Sequence, residues 1–147
     1  SDRVAIMHQG RVLQFDRPEV IYRRPADPYV AGFVGFENLV PLAVTARDGA
    51  LVTAGPLTLS QEEYGPIPDR FTLAARPEGL AVTADAPGIP GRVSLRTYLG
   101  RAYQYRCETA LGPLTGNGPL GAPLEPGSAV RLVPQPEQCC ILAAEVD

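Results

Sequence analysis

Apolar residues recur at alternating positions from the start of the chain. Val4, Ile6 and Val12 follow this alternation, and the H-Q-G at 8–10 between them forms a short turn in which Gly10 tolerates positive φ. Alternation on both sides of such a turn is typical of a β-hairpin. The first residues therefore predict two paired strands.

The next segment carries the start and stop signals of two short helices. Asp16 and Glu19 have the spacing of a capping box, Pro18 suits a first helical turn, and Pro25 ends the helix. Asp27 then repeats the start signal, and Gly35 ends the second helix. We expect this helix to present one apolar face, which packs on the following domain or on a second copy of the chain: Tyr29, Val30, Phe33 and Val34.

After Glu37 the pattern changes to short apolar runs separated by turns, such as the DG at 48–49. The runs GRVSLRTYLG and RAYQYRCETALG alternate most clearly and should pair, with Gly100 in a tight turn or bulge between them. The stretch GPLTGNGPLGAPLEPG is predicted to be a long loop, and the strands AVRLVP and QCCILAA follow it. Many short strands without interleaved helices predict a mainly β fold, with the strands in a small closed or sandwiched β structure.

Composition and charge narrow the classes of function. Gly 15 and Pro 16 in 147 residues imply many turns, and a net charge of −3 gives no overall attraction to nucleic acid or anionic lipid. Three cysteines without C-x-x-C spacing support neither a disulfide framework nor a zinc site, which favours a reducing cytoplasm. No metal site is expected.

Two sets of motifs carry a resemblance to a known family. The segment DRVAIMHQGRVLQFDRPEVIYRRPADPYVAGFVGFENLV resembles the end of the nucleotide-binding domain of ATP-binding subunits of bacterial ABC importers. The remainder resembles the TOBE domain, an OB-like domain of such subunits, through R-P-E-G-L at 76–80, T-Y-L-G at 97–100 and P-G-S-A-V-R-L-V-P-Q-P-E-Q at 126–138.

The resemblance implies a division of the chain and a role for it. Residues 1–35, a hairpin and two short helices, would be the remnant of the α/β nucleotide-binding domain. Residues 36–147 would form a small antiparallel barrel of the OB-like TOBE type, a regulatory domain that stabilises a homodimer. The parent subunit would bind ATP and Mg, dock on membrane permease subunits at the cytoplasmic face of the inner membrane, and support uptake of ferric iron or, next in preference, polyamines. The chain itself has no G-x-x-x-x-G-K-[ST] and no Lys, so we expect no catalytic residues, no cofactor and no ATP hydrolysis from it.

Four residues are candidates for contact with a ligand or a partner. Arg76 and Glu78 flank a Pro at the end of a predicted strand, where they form either a structural corner held by an Arg–Glu pair or a contact site. Tyr98 and Arg101 lie at the turn between the two strands that alternate most clearly. Relatives of the resembled fold that bind molybdate make a small solute or an oxyanion an alternative ligand.

A nucleic-acid interface is the rival hypothesis, because OB folds bind single strands through aromatic and basic side chains. Tyr103 and Tyr105 share one face of their strand and Arg106 lies on the other, so rings and guanidinium groups would not act together. We therefore predict no nucleic-acid partner. The remaining reactive side chains are given structural interpretations. His8 is expected to be a solvated histidine in a turn, and Cys107 a thiol packed in the core. Of Cys139 and Cys140, one is expected to be buried and the other to lie at an edge.

Overall fold

The computed structural model describes residues 2–144. β1 (Val4–His8) and β2 (Arg11–Asp16) form the expected antiparallel hairpin. Gln9 and Gly10 make its turn with φ angles of 52° and 76°, the positive values that a two-residue turn of type I′ requires. Ile6 is buried on the inner face. Four apolar side chains elsewhere on the hairpin are exposed: Val4, Met7, Val12 and Phe15.

The first helix, α1 (Pro18–Arg23), has a different cap from the one predicted. Its N-cap is Arg17, which makes no side-chain cap, so the capping box of Asp16 and Glu19 is wrong. Asp16 is held in the hairpin, where its carboxylate accepts a hydrogen bond from the backbone N–H of Arg17 at 3.0 Å and lies 3.5 Å from Nη1 of Arg3. A carboxylate that bonds to the next residue in this way does not reach the first turn of the helix.

The second helix, α2 (Pro28–Phe33), begins as predicted at Asp27, whose carboxylate accepts a hydrogen bond from the N–H of Val30 at 2.9 Å. The predicted apolar face is only partly correct. Val30 and Ala31 are fully buried, whereas two members of the predicted face are exposed: Tyr29 at 44% and Phe33 at 68%. The side that faces Ile6, Phe36 and Ala74 is buried, because packing partners rather than spacing decide the inner face of so short a helix.

A five-stranded antiparallel sheet follows the helices. Its strands, in spatial order, are β12 (Cys139–Ala143), β6 (Arg70–Ala75), β3 (Asn38–Asp48), β4 (Leu51–Ala54) and β5 (Leu57–Ser60). A one-turn helix, α3 (Gln61–Tyr64), leaves the end of β5. The helix contacts both edge strands, β12 and β5. Since a helix of four residues is only about 6 Å long, the sheet must curl to bring its two edges together at α3.

A closed five-stranded barrel completes the fold, and it confirms the predicted OB-like β class. Its strands, in order around the barrel, are β10 (Leu114–Gly118), β7 (Leu80–Thr83), β11 (Ala129–Pro134), β8 (Ile89–Tyr98) and β9 (Tyr103–Thr109). Short 3-10 turns at Pro77–Gly79 and Pro136–Gln138 connect the sheet with the barrel. The pairing of β10 with β7 is parallel, so the barrel is not purely antiparallel as predicted.

Strand β10 lies inside the stretch that was predicted to be a loop, and that prediction is wrong there. A Cβ atom on Gly116 would lie 2.4 Å from the carbonyl oxygen of Leu80, and one on Gly118 would lie 2.9 Å from the ring of Tyr105. Glycine is therefore required because β10 passes close to β7 and to a buried ring. The same glycines that resemble a loop in sequence allow the barrel to close.

One hydrophobic cluster runs through both the sheet and the barrel, from Val40 and Leu73 to Leu80 and Leu132. Asn38 adds a polar connection: its Nδ2 donates to the carbonyl oxygens of Ala75 and Thr115, and its Oδ1 accepts from the N–H of Thr115 at 2.8 Å. The sheet and the barrel are thus packed as one body. The boundary between residues 1–35 and 36–147 stays a prediction. None of the helices described between residues 2 and 144 has the length and apolar character needed to cross a membrane.

Candidate functional site

Arg76 occupies the corner between β6 and the barrel, and it is buried at 5% exposure. Its guanidinium carbon lies 3.7 Å from the ring centroid of Tyr22 on one side and 3.8 Å from that of Phe36 on the other. A guanidinium remains charged at any pH a folded protein tolerates. The two aromatic faces therefore hold a permanent cation away from water.

The same side chain joins the N-terminal helices to the β structure. Nη2 of Arg76 donates to the carbonyl oxygen of Tyr22, at the end of α1, at 2.6 Å and to that of Val34, just after α2, at 3.4 Å. Both acceptors come from the end of a short helix, where carbonyl groups lack helical partners. We call this arrangement of Arg76 with Tyr22, Val34 and Phe36 the Arg76 clamp.

Two adjoining cavities of about 450 and 510 Å³ open beside the clamp, and both are lined by Arg23 and Cys139. We call the two together the α1 cleft. Its charged lining residues are Arg23, Arg24, Arg76, Glu63 and Glu137. Three guanidinium groups thus face two carboxylates, and the cleft carries an excess of positive charge.

Three further titratable groups of the α1 cleft, two thiols and one phenol, are neutral at physiological pH. Burial raises the pKa of Cys139 to about 12 and that of Cys140 to about 11, although the charge of Arg76 acts in the opposite direction on Cys140. Burial also raises the pKa of Tyr64. A protonated thiol is a poor nucleophile and a poor metal ligand. Consistent with this, no group of three His, Cys, Asp or Glu residues within positions 2–144 could hold a metal ion.

The four predicted contact residues lie in different places. Arg76 lines the α1 cleft, whereas Glu78 is exposed on the 3-10 turn after it and forms no ion pair among the described residues. The expected Arg76–Glu78 pair is therefore wrong: the aromatic rings and backbone carbonyls, rather than a carboxylate, surround the guanidinium. Tyr98 and Arg101 are exposed at the tip of the β8–β9 hairpin and do not line the cleft.

The β8–β9 hairpin holds the aromatic residues that the nucleic-acid hypothesis used. The ring of Tyr98 packs edge-on against that of Tyr103, with centroids 5.8 Å apart. Arg96 lies over the ring of Tyr103 at 4.9 Å, and its Nη1 lies 3.3 Å from the carboxylate of Glu125. Tyr105 is fully buried, and its hydroxyl accepts a hydrogen bond from the N–H of Leu124. These rings are engaged in packing within the domain.

The other singled-out residues have structural surroundings. His8 is exposed, and its ring stacks on Tyr29 with centroids 4.0 Å apart. Cys107 is fully buried, as expected. Cys139 and Cys140 lie on opposite faces of the edge strand β12 and pack against two different hydrophobic clusters. Both are half-buried, so neither is the fully buried thiol that was predicted.

Sequence reasoning missed the partners of Arg76 and the two arginines of the α1 cleft. Arg23 and Arg24 are adjacent and precede Pro25, which places two cations at the end of α1. These two adjacent arginines were the feature of the sequence that could have indicated a positively charged site. Nothing in the sequence indicated that Tyr22 and Phe36 would enclose a guanidinium that lies 40 or more positions further along the chain.

The closed barrel, the corner at Arg76 and the attached helices define a small β-barrel domain of the OB type with an N-terminal helical segment packed on it. Residues 73–142 match the TOBE domain family. This range begins in β6 and ends in β12, so it contains the entire barrel. The family model therefore supports a TOBE domain at residues 73–142, and the predicted resemblance to ATP-binding subunits of ABC importers is confirmed by curated relatives of the chain.

Two curated relatives illustrate that similarity. The chain is 35% identical over 117 residues to the Fe(3+) ions import ATP-binding protein FbpC of Agrobacterium fabrum, a match covering 78% of the chain and 33% of the relative. It is 42% identical over 108 residues to the spermidine/putrescine import ATP-binding protein PotA of Methylococcus capsulatus, covering 68% of the chain and 28% of the relative. The matched region thus spans about a third of each relative's length.

A solved structure supports the fold independently. The cytoplasmic molybdate-binding protein ModG aligns with 73% of the chain at a TM-score of 0.52, and the alignment covers 96% of that protein's chain. The sequences are 12% identical in this alignment. The likeness therefore concerns the fold.

Proposed function

We propose that the chain is a regulatory domain of the ATP-binding subunit of an ABC importer, at the cytoplasmic face of the membrane. The observation that carries the proposal is the Arg76 clamp, which attaches the helical segment to the TOBE barrel through both aromatic stacking and hydrogen bonds. A buried, permanently charged joint of this kind passes displacement of one side to the other. A regulatory domain needs such a joint.

The exposed apolar surface of the N-terminal segment supports the same proposal. Four apolar side chains of the hairpin and α2 are each more than half exposed: Met7, Val12, Phe15 and Phe33. Large exposed apolar side chains that cluster in one region indicate an interaction surface. In the proposed subunit this surface packs on the ATPase domain or on the second copy of a homodimer, and the subunit docks on permease subunits.

The proposed reaction belongs to the parent subunit and not to this chain. Binding of ATP and Mg requires a phosphate loop with its Lys, and the chain contains no Lys. The relatives described above are named for ferric ions and for spermidine/putrescine. The preference for ferric iron therefore stays a prediction, with polyamines as the alternative solute.

A chimera tests the proposed function directly. The segment of Agrobacterium fabrum FbpC that aligns with this chain is replaced by residues 1–147, and ATP-dependent uptake of Fe³⁺ is compared with that of intact FbpC and of FbpC lacking the segment. If residues 1–147 act as a regulatory domain, the chimera should take up more Fe³⁺ than FbpC lacking the segment. A chimera that accumulates normally and hydrolyses ATP, but takes up no more Fe³⁺ than the deletion, contradicts the proposal.

Binding of a small solute or an oxyanion is the second candidate, and the positive α1 cleft favours it. ModG binds molybdate according to its description, and we carry this to the present chain only as a hypothesis. Titration calorimetry of the chain with molybdate, sulfate, phosphate, ferric citrate and spermidine tests it. Saturable heat from one of them supports the sensor, whereas no heat from any leaves the purely structural regulatory role.

A further inference from the structure

The side chain of Arg76 does not have hydrogen-bond partners for all of its nitrogen atoms. Of its three side-chain nitrogens, only Nη2 has a hydrogen-bond partner within residues 2–144, and Nε is buried with no partner at all. Hydrogen-bond donors of a buried charge are costly to leave unpaired. Because Arg76 also lines the α1 cleft, a ligand in the cleft can approach a guanidinium that the protein has already positioned and dehydrated.

The rest of the α1 cleft adds two further cations. Arg23 and Arg24 are exposed at the end of α1 and form no ion pair within the described part of the chain. Glu137 lines one cavity with Arg76, and Glu63 lines the other with Arg24. Three guanidinium groups and two carboxylates leave one excess positive charge in the cleft, which attracts an anion to the space between Arg23 and Arg76.

The size of the α1 cleft indicates more than an inorganic ion. Pockets of about 300–1,000 Å³ are typical for organic ligands, whereas an inorganic oxyanion has the size of a few water molecules, each of about 30 Å³. Arg76 does not line the larger cavity, whose lining includes Tyr64, Ile141 and Leu142 together with Arg23 and Arg24. The first three side chains supply apolar surface in the same cavity as the two cations.

We propose that the α1 cleft binds a small organic phosphate, a phosphate monoester with an apolar or aromatic body. The phosphate lies between Arg76 and Arg23, where a charge of about −1.5 to −2 meets two guanidinium groups. The body lies against Tyr64 and Ile141. This inference deepens the sensor hypothesis, and it does not depend on the assignment to an importer.

Titration calorimetry of the 147-residue chain with phenyl phosphate, inorganic phosphate and phenol tests the proposal. Phenyl phosphate should bind one per chain and more weakly at higher salt, inorganic phosphate should bind about ten-fold more weakly because it lacks the apolar contact, and phenol should give no saturable heat. Absence of saturation by phenyl phosphate at millimolar concentration overturns the proposal. Inorganic phosphate binding as tightly as phenyl phosphate also overturns it, but leaves the oxyanion hypothesis standing.

Surface variants locate the site without disturbing the Arg76 clamp. Arg23→Gln should weaken the binding of phenyl phosphate about ten-fold, because one charge-assisted contact is lost. Glu137→Gln should strengthen it several-fold, because a carboxylate that repels the ligand is removed. Arg131→Gln, on the exposed side of β11, serves as the control and should leave binding unchanged. An unchanged affinity of Arg23→Gln, or weaker binding by Glu137→Gln, would place the ligand elsewhere and overturn the assignment. The uptake of the chimera remains a separate readout for the proposed function.

Discussion

Replacing Arg76 by Met removes the charge of the clamp while keeping an unbranched side chain of similar length. The Arg76→Met variant retains part of the contact with the rings of Tyr22 and Phe36. It loses the donor for the carbonyl oxygens of Tyr22 and Val34. The substitution therefore separates the electrostatic part of the clamp from its packing.

The expected loss follows from these contacts. A hydrogen bond from a charged donor contributes about 1.5–3 kcal/mol, and a desolvated cation over an aromatic ring contributes up to about 2 kcal/mol. Met recovers some packing, and removal of a buried charge relieves its desolvation cost. We expect the free energy of unfolding to fall by about 2–4 kcal/mol, because the carbonyl of Tyr22 also loses its partner.

Urea denaturation followed by circular dichroism measures this loss, with Arg131→Met as the matched control. Arg131 is exposed on β11 and forms no ion pair among residues 2–144, so its replacement should change the free energy of unfolding by less than about 0.5 kcal/mol. Tyr22→Ala completes a double-mutant cycle with Arg76→Met, and the two residues should be coupled by about 1 kcal/mol or more. An Arg76→Met variant as stable as the control would refute a stabilising role for the clamp.

Three further predictions concern the barrel, the buried thiols and the exposed surface. Gly116→Ala should destabilise the chain by more than about 2 kcal/mol or prevent folding, because its Cβ would lie 2.4 Å from the carbonyl oxygen of Leu80. The control is Gly121→Ala, since nothing lies within 4 Å of a Cβ at that position. Equal melting temperatures of the two variants would contradict the close approach of β10 to β7. Burial raises the pKa of Cys107 from 9.0 to about 11, so the unfolded chain loses this proton first and stability should fall as pH rises from 9 to 11. The urea midpoint should decrease less over this pH range in Cys107→Ala, and an identical decrease would exclude that thiol as a cause. The chain should form a homodimer at micromolar concentration that Phe33→Glu dissociates; light scattering that gives a mass near 15.7 kDa at every loading would disprove self-association.

Local signals in the sequence predicted most of the elements. The hairpin turn at Gln9 and Gly10 and the cap at Asp27 depend on residues within a few positions of each other, and the structure confirms them. The alternating runs that became β8 and β9 also pair as expected. In each case the backbone conformation is determined by neighbouring residues, which a single sequence displays.

Features that depend on distant contacts were missed or wrong. The glycines of β10 resemble a loop until the position of β7 shows why no side chain fits there. Phe33 has the apolar character of a core residue, but the inner face of α2 is chosen by Phe36 and Ala74. Arg76 was singled out as a candidate, but its partners come from two distant segments, around residue 22 and at residues 34–36, and sequence spacing does not reveal them.

The most direct test of the account is the coupling of transport to ATP hydrolysis in the complete importer to which we propose that this chain belongs. The subunit is reconstituted with its membrane subunits in vesicles, and the amount of solute transported per ATP hydrolysed is compared among wild type, Arg76→Met and Arg131→Met. If the clamp links a regulatory domain to the ATPase domain, Arg76→Met should hydrolyse ATP but transport several-fold less solute per ATP, while Arg131→Met behaves as wild type. The same transport per ATP in all three proteins would contradict a regulatory role exerted through Arg76.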